Sequence, residues 1–596
     1  MRSTPRALAV TTVVLLYTIM LGATYNGILT PMFKTFNVVL IGGGLIGWWI
    51  ARRRWNWYRS PLDGAILLWI AAFALSLLAN LDSWRRIALG LWYMGLYIIL
   101  WYALFDALAN RTLRRDTLID GLLIVGALIV GIGWFQFINA LEAGFVRPVS
   151  TFGNSNALAA FLVLIIPFIF ERIGSRNPIT RLSLTLYGLT TILLLLLTFS
   201  RGALIALAAI VAARIALFAY EHHLHQVKAR RVYLATLSQN TKIALVVSGL
   251  TLIIAGVGIT LFLIATLSIG GRTLEFRTFL YDTAIRLTVE QPITGTGLFT
   301  FGGGLSRLYS IPPREPHAHA HNLFLGVSAE LGIIGLIALF LTMWFIMRAA
   351  RRNLNALEAR EKRPLRAGII ALIAFGVHQL LDLPAITPAI FIVLLVILAV
   401  TITPPDPFRW RGITIRAALA VGAVALLTTG VFGAATYQAY INIMSGVNEG
   451  NAGERAVALD AIIMLDPSMP VYHQQQGYLY AVAENYLSAV TSFTRYTQLA
   501  PEYVSGWANL AAVYDALDDQ TNALLMIERA RAAAPELTEL AFAQTRYQSD
   551  QPVPMRWRTL DPFAADYALN ENINSIQFLR LAIRRQLLPV LFLAPE

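Results

Sequence analysis

The chain contains no cysteine, which excludes a disulfide framework and any thiolate-bound metal centre. It is also poor in charge. Only 14% of its 596 residues are Asp, Glu, Lys or Arg, against about a quarter in an ordinary soluble domain, while 57% are apolar. Such a composition excludes a water-soluble fold for most of the chain, which must face lipid. The charge that is present leans basic, +13 overall, yet Arg and Lys fall in short clusters between apolar stretches and form no extended basic face. That distribution is what membrane orientation requires, and it speaks against nucleic acid as a partner. The N-terminus, MRSTPRALAVTTVVLLYTIMLG, has a basic start and a long apolar core with no small-residue cleavage site after it. It reads as a first span.

Crossing about 30 Å of hydrocarbon takes about twenty apolar residues. Stretches of this kind fall near 7–30, 32–50, 61–80, 87–107, 117–139, 154–171, 182–199, 202–219, 243–266, 322–347, 367–382, 385–403 and 417–437. The pattern predicts an all-α polytopic membrane bundle of about 13 transmembrane helices over residues 1–437. A soluble helical domain over 438–596 follows, where the apolar runs stop. Thirteen spans put the termini on opposite sides. One set of short loops holds Arg52, Arg53, Arg54 and Arg59, then Arg111, Arg114 and Arg115, then Lys228, Arg230 and Arg231, then seven Lys or Arg from Arg348 to Arg366. That side, with the N-terminus, is expected to be cytoplasmic. The other short loops offer Lys34, Arg85, Arg86, Arg147 and Arg201. The long loop 267–321 and the C-terminal domain are then expected outside a cytoplasmic (inner) membrane.

In the soluble part, the strings LDPSMPVY, LAPEYVSGW and AAPELTEL recur with Pro467, Pro501 and Pro535 spaced by 34 residues. This is the tetratricopeptide (TPR) period, in which a proline closes one helix pair before the next begins. Gly477, Tyr480, Ala489 and Phe493, then Trp507, Leu510, Ala511 and Tyr514, supply the small and aromatic positions that such packing needs. Two or three helical hairpins are expected. An array this short is marginal alone, so it should dock on the membrane domain or on an envelope protein.

Ionisable groups in or beside a span are costly and therefore informative. In PHAHAHNLFLGVSAELGIIG, three histidines precede an apolar helix that carries Glu330 about two turns in. Alternating His317, His319 and His321 have the donors for zinc, but no cysteine or obvious carboxylate completes a set. The competing functional reading is an imidazole at the helix entrance acting as general base toward a hydroxyl. A third reading is a polar loop with Asn322 as a plain helix cap. Arg201 sits between two spans with Ser200 and Gly202. It is either a snorkelling anchor or a fork of donors for phosphate. In the long loop, the middle of the segment from Gly270 to about Gly297 reads as an amphipathic helix with Phe276, Leu280, Ala284 and Leu287 on one side, followed by Pro292, Gly295 and Gly297 as a turn. Arg272 and Arg277 at its start suit an anion, unless the helix lies on the bilayer surface. Arg147 ahead of TFGNSNALA, and His378 with Asp382 at i and i+4, share the same face.

Taken in order, these strings resemble the O-antigen ligase/polymerase superfamily over roughly residues 145–400. The order is Gly153-Asn154-x-Asn156-Ala157-x-Ala159, Ser200-Arg201-Gly202 and Arg277-x-x-x-Tyr281. Pro292-x-x-Gly295-x-Gly297, His321-Asn322 and Glu330-x-Gly332-x-x-Gly335 follow. Tyr281 stands where the family's usual aromatic is tryptophan. The resemblance implies a glycosyltransferase that takes a glycan from an undecaprenyl-diphosphate carrier and passes it to a lipid, glycan or protein acceptor. It implies that Arg201 and Arg277 hold the diphosphate and that His321 assists the acceptor hydroxyl. Arg272, Arg147, Asn156, His319, Asn322, Glu330, His378 and Asp382 are the further expected binding residues. The leaving group is already good, so charge neutralisation by arginine and deprotonation of an alcohol suffice. No metal or other cofactor is expected, and the displacement should invert the anomeric centre. The motifs do not separate a ligase from a polymerase that joins carrier-linked repeat units. A transporter would spread ionisable residues over mid-bilayer in paired halves; here they gather at one face. A non-catalytic scaffold would leave the arginines without a task.

Overall fold

The computed structural model describes residues 5–22, 57–141, 144, 146–174, 177–229, 272–309, 319–358, 361–383, 387–410, 413–445, 451–501 and 504–533. A few short pieces beyond these are also described, and for some residues the backbone alone. The protein is an all-α polytopic bundle. Its membrane part comprises α1 (Pro5–Leu15), α2 (Asp63–Ala79), α3 (Trp84–Ala109), α4 (Arg115–Ala140), α5 (Ser155–Ile173), α6 (Pro178–Leu197) and α7 (Arg201–Ala229). After α8 (Arg272–Glu290) and α9 (Phe301–Tyr309) come α10 (Leu323–Ala356), α11 (Lys362–His378), α12 (Pro388–Ile402) and α13 (Ile413–Ser445).

Six stretches among the described residues are long and apolar enough to cross a membrane: Gly90–Ala109, Arg115–Ala140, Ser155–Ile173, Pro178–Leu197, Leu323–Ala356 and Ala420–Met444. Pro5–Ile19, Asp63–Ala79 and Pro388–Ile402 are shorter apolar helices. The spans expected at 32–50 and 243–266 lie outside the described residues.

The centre of the bundle is α5, apolar on every side and buried without interruption from Ala157 to Ile169, as a helix with no polar stripe must be. It packs against α6 and α11, and α11 packs in turn on α7 and α12. Asparagine fixes where three helices begin. Asn154 accepts from the amides of Asn156 and Ala157, Asn177 from Ile179 ahead of α6, and Asn322 from Phe324 and Leu325. Each satisfies amides that the first helical turn leaves free. Asn154 and Asn322 stand at the same end of the bundle as the starts of α7 and α12 and the end of α11.

Helix α10 is broken at Gly332, whose φ of 61° no L side chain adopts readily. A broken helix in an apolar setting leaves backbone groups unmet, at several kcal/mol each. The turn after α8 meets them. Thr296 N donates to Ala329 O at 2.9 Å, Gly297 N to Glu330 O at 3.0 Å, and Ile333 N to Pro292 O at 2.8 Å. The backbones approach so closely that a Cβ on Gly332 would lie 2.4 Å from Ile293 C, and one on Gly295 2.2 Å from Glu330 C. The two glycine motifs of the sequence are therefore halves of one splice.

Helix α13 runs on past the division expected at 437/438, and its Tyr440 and Met444 belong to the core of the C-terminal helices. These are α14 (Ala452–Leu465), α15 (Pro470–Val482), α16 (Tyr486–Leu499), α17 (Val504–Ala516) and α18 (Gln520–Ala533). Each packs on the next. One contact repeats across two of the 34-residue units. His473 Nε2 donates to Pro467 O at 2.9 Å, and Trp507 Nε1 to Pro501 O at 2.8 Å. The unit expected after Pro535 lies outside the described residues.

Candidate functional site

His321 precedes the Asn322 cap with φ 51°, in the left-handed region that costs a non-glycine residue about 1–3 kcal/mol. In this conformation its Nδ1 lies 2.7 Å from Oδ1 of Asp382. Asp382 is buried, in the loop beyond α11, and also accepts from its neighbour's amide, Leu383 N, at 2.8 Å. Burial alone would raise its pKa. The hydrogen bond from His321 and the charges of His321, His319 and His378 outweigh burial and hold the carboxyl well below its ordinary range. Asp382 is thus ionised and accepts, so Nδ1 of His321 donates and the proton-free position of a neutral ring is Nε2. The ring remains about a quarter exposed, at 26%.

The loop that carries His321 is pinned from two sides. Leu323 N donates to Gln379 O at 2.9 Å, and Asn322 Nδ2 to Leu380 O at 2.9 Å. His319 stacks obliquely on His321, ring centroids 4.2 Å apart, and its Nδ1 accepts from the His321 amide. His317 lies outside the described residues.

Arginines approach Asp382 and His378 from other elements. Arg147 donates from Nε to Thr198 O at 2.6 Å and from Nη2 to Asn156 Oδ1 at 3.2 Å. It thereby ties the start of α5 to the turn before α7, and its charge reaches Asp382. Arg277 is half-buried on α8, and its charge acts on both Tyr281 and His378. Tyr281 lies beside Asn322, and burial pushes its phenol pKa up. Arg201 is half-buried as the first residue of α7. Its neighbour Gly202 lies directly against the ring of His378.

Arg147, Asn156, Arg201, Arg277, His319, His321, Asn322, His378 and Asp382 therefore meet at one end of the bundle. Arg272 opens α8, but its side chain is outside the described residues. Glu330 stands apart, about 12 Å further along α10 at 1.5 Å per residue. Its carboxylate accepts from Phe301 N at 3.2 Å and so holds the start of α9. The resemblance grouped it with the binding residues because it falls on the motif Glu330-x-Gly332-x-x-Gly335. Helix α8 turns Leu280, Ala284 and Leu287 inward, all fully buried beside Phe301 and Ala329. It packs on α10 and is not an independent surface helix. What the sequence did not pair is Arg147 with Thr198 and Asn156, or His321 with Asp382. No local spacing links loops so far apart in the chain.

The class these features define is a polytopic membrane protein with a histidine–aspartate pair and arginines gathered at one end of its bundle. The family model described as O-Antigen ligase matches residues 186–340. That stretch contains Arg201, Arg277, Tyr281, His319, His321, Asn322 and Glu330, while Arg147, Asn156, His378 and Asp382 lie outside it. Over this stretch the chain is similar to the O-antigen ligase family. No curated protein matches it. The domain supports O-antigen ligase or polymerase-like activity in general, that of a glycosyltransferase-like membrane enzyme acting on lipid-linked glycans.

Proposed function

We propose that the protein transfers a glycan from an undecaprenyl-diphosphate carrier to a hydroxyl acceptor at the outer face of the cytoplasmic membrane. The reading rests most on the pair His321–Asp382, 2.7 Å apart, set among arginines drawn from separate elements. Asp382 accepts a hydrogen bond from Nδ1–H of His321, fixing the tautomer that leaves Nε2 free toward the acceptor. As the acceptor oxygen forms its bond to the anomeric carbon, its proton passes to Nε2. The bond from that carbon to the diphosphate oxygen breaks, and undecaprenyl diphosphate departs with the electron pair. Attack opposite the leaving group inverts the anomeric centre.

Arg201 and Arg277 hold the diphosphate and neutralise the charge that grows on it, a role for fixed cationic donors that needs no metal ion. Arg147 braces the Ser200–Arg201–Gly202 turn through Thr198. The C-terminal helices, read as a TPR-like domain on the same side, face the acceptor or an envelope protein. The test is reconstitution in proteoliposomes with an undecaprenyl-diphosphate-linked oligosaccharide and a hydroxyl acceptor. Glycan should leave the carrier and appear on the acceptor. Carrier-linked glycan that stays intact throughout would sink the reading.

A further inference from the structure

Helix α13 joins the membrane part to the tail, so distances along it set the height of the C-terminal helices. It returns to the end of the bundle from which α12 departs, the end where the site residues meet. It packs on α3, where Trp92 Nε1 donates to Leu426 O at 2.6 Å. Trp84, exposed at the start of α3, lies eight residues before Trp92, about 12 Å at 1.5 Å per residue. An exposed tryptophan at a span end marks the lipid headgroup level. The same rise along α13 leads from Leu426 to Ala434. The helix changes character there: Val421, Val424 and Phe432 are exposed and apolar, whereas beyond them Gln438 donates to Asn442 at 2.8 Å.

The tail comes back toward this level. The ring of Tyr440 lies against that of Tyr472, centroids 4.9 Å apart, and Tyr472 is in the first turn of α15. The connection from α14 into α15 therefore stands beside α13 close to where the span ends. Its own hydrogen bonds hold it: His473 Nε2 donates to Pro467 O at 2.9 Å and Asp466 N to Ile462 O at 3.0 Å. What it turns outward is apolar. Met464 is 77% exposed and Leu465 51%, with Ala461 and Pro467 exposed beside them. Repeat packing does not ask for this. One unit of 34 residues later, the positions of Ala461 and Met464 hold Arg495 and Gln498, exposed on α16 and hydrogen-bonded to each other at 3.2 Å. The terminal helices of an array ordinarily turn polar faces outward, and α14, the first of the tail, departs from that beside the span. An apolar tip in this place suits the boundary between headgroups and acyl chains.

We propose that Met464, Leu465 and Pro467 are seated in the headgroup layer of the leaflet at the site end of the bundle, and that this contact anchors the C-terminal helices to the lipid surface. The face is covered by lipid and not by a second protein chain. The anchor is independent of the glycan-transfer reading, and neither falls with the other.

The cysteine-free chain allows a single label in the full-length protein, reconstituted in vesicles of phosphatidylcholine and phosphatidylglycerol. Met464→Cys carrying a nitrobenzoxadiazole probe is compared with Leu487→Cys, an equally exposed apolar position, 73%, at the start of α16 and so at the other end of α15. The Met464 probe should emit at shorter wavelength. Spin-labelled phospholipid should quench it at least about twofold more than the Leu487 probe. Equal quenching at the two positions overturns the proposal. So does a Met464 probe that is shielded from water yet untouched by the lipid quencher, the result for a protein partner or a second copy. With the probe moved to Ala461→Cys, adding Met464→Asp and Leu465→Asp should abolish quenching and leave the melting temperature unchanged, because both side chains are exposed. Quenching that survives these two changes overturns the role of the tip.

Discussion

A Cβ placed on Gly202 would stand 2.4 Å from Cδ2 of the His378 imidazole and 2.9 Å from its Nε2. The glycine of the Ser200–Arg201–Gly202 turn is therefore the steric complement of a fully buried ring on α11, and the contact sets where Arg201 begins its helix. Gly202→Ala should lower stability by about 1–3 kcal/mol, the usual cost of overpacking, and reduce transfer. In the double variant with His378→Ala the melting temperature should recover. A double variant that melts as low as Gly202→Ala alone would show that the collision is not the cause.

Asp382→Asn removes the carboxylate that accepts the hydrogen bond from His321 Nδ1–H, and transfer should fall by about 10²–10⁴-fold. The same group makes an acid-side prediction. Its folded pKa is depressed, so its contribution to stability is complete above the ordinary carboxylate range and is lost as pH falls through the folded value. Between about pH 5 and pH 2 the wild-type melting temperature should drop more than that of Asp382→Asn. Parallel curves would remove Asp382 from the acid transition.

Arg277→Lys keeps the charge and loses the planar fork that matches phosphate oxygens two at a time. Transfer should fall by at least about 10²-fold with expression and melting unchanged, and Arg201→Lys should behave alike. Near-normal turnover in both variants, followed as release of glycan from the carrier, would dissociate these arginines from the diphosphate.

Gly332→Ala tests the splice between α10 and the turn after α8. The added carbon meets backbone, not a flexible side chain, 2.4 Å away at Ile293, and φ there is positive. A loss of more than about 3 kcal/mol, seen as poor recovery of folded protein from the membrane, is expected. Glu330→Gln retains an acceptor for Phe301 N and should melt near wild type, while Glu330→Ala should melt lower. The reverse ranking would mean that the charge of Glu330, not its hydrogen bond, matters.

Much of the fold was legible because lipid imposes one rule on every span. Backbone groups must be met within the segment, so apolar length alone predicts helices such as Arg115–Ala140 and Ser155–Ile173. A helix start was legible where a short polar side chain precedes an apolar run, as at Asn322. The division at 437/438 was drawn where apolar residues thin out, whereas α13 continues to Ser445 because a helix does not end where its surroundings change.

The sequence by itself determined that the chain is helical and membrane-borne, that its polar residues sit at span ends, and that its tail repeats every 34 residues. These follow from local rules of composition, length and period. Only the tertiary structure decided which loops meet: that His321 faces Asp382, that Arg147 reaches Thr198 and Asn156, and that Glu330 serves the backbone of Phe301. Such pairings depend on how helices pack side by side, and packing couples positions whose separation along the chain carries no signal of their distance in space.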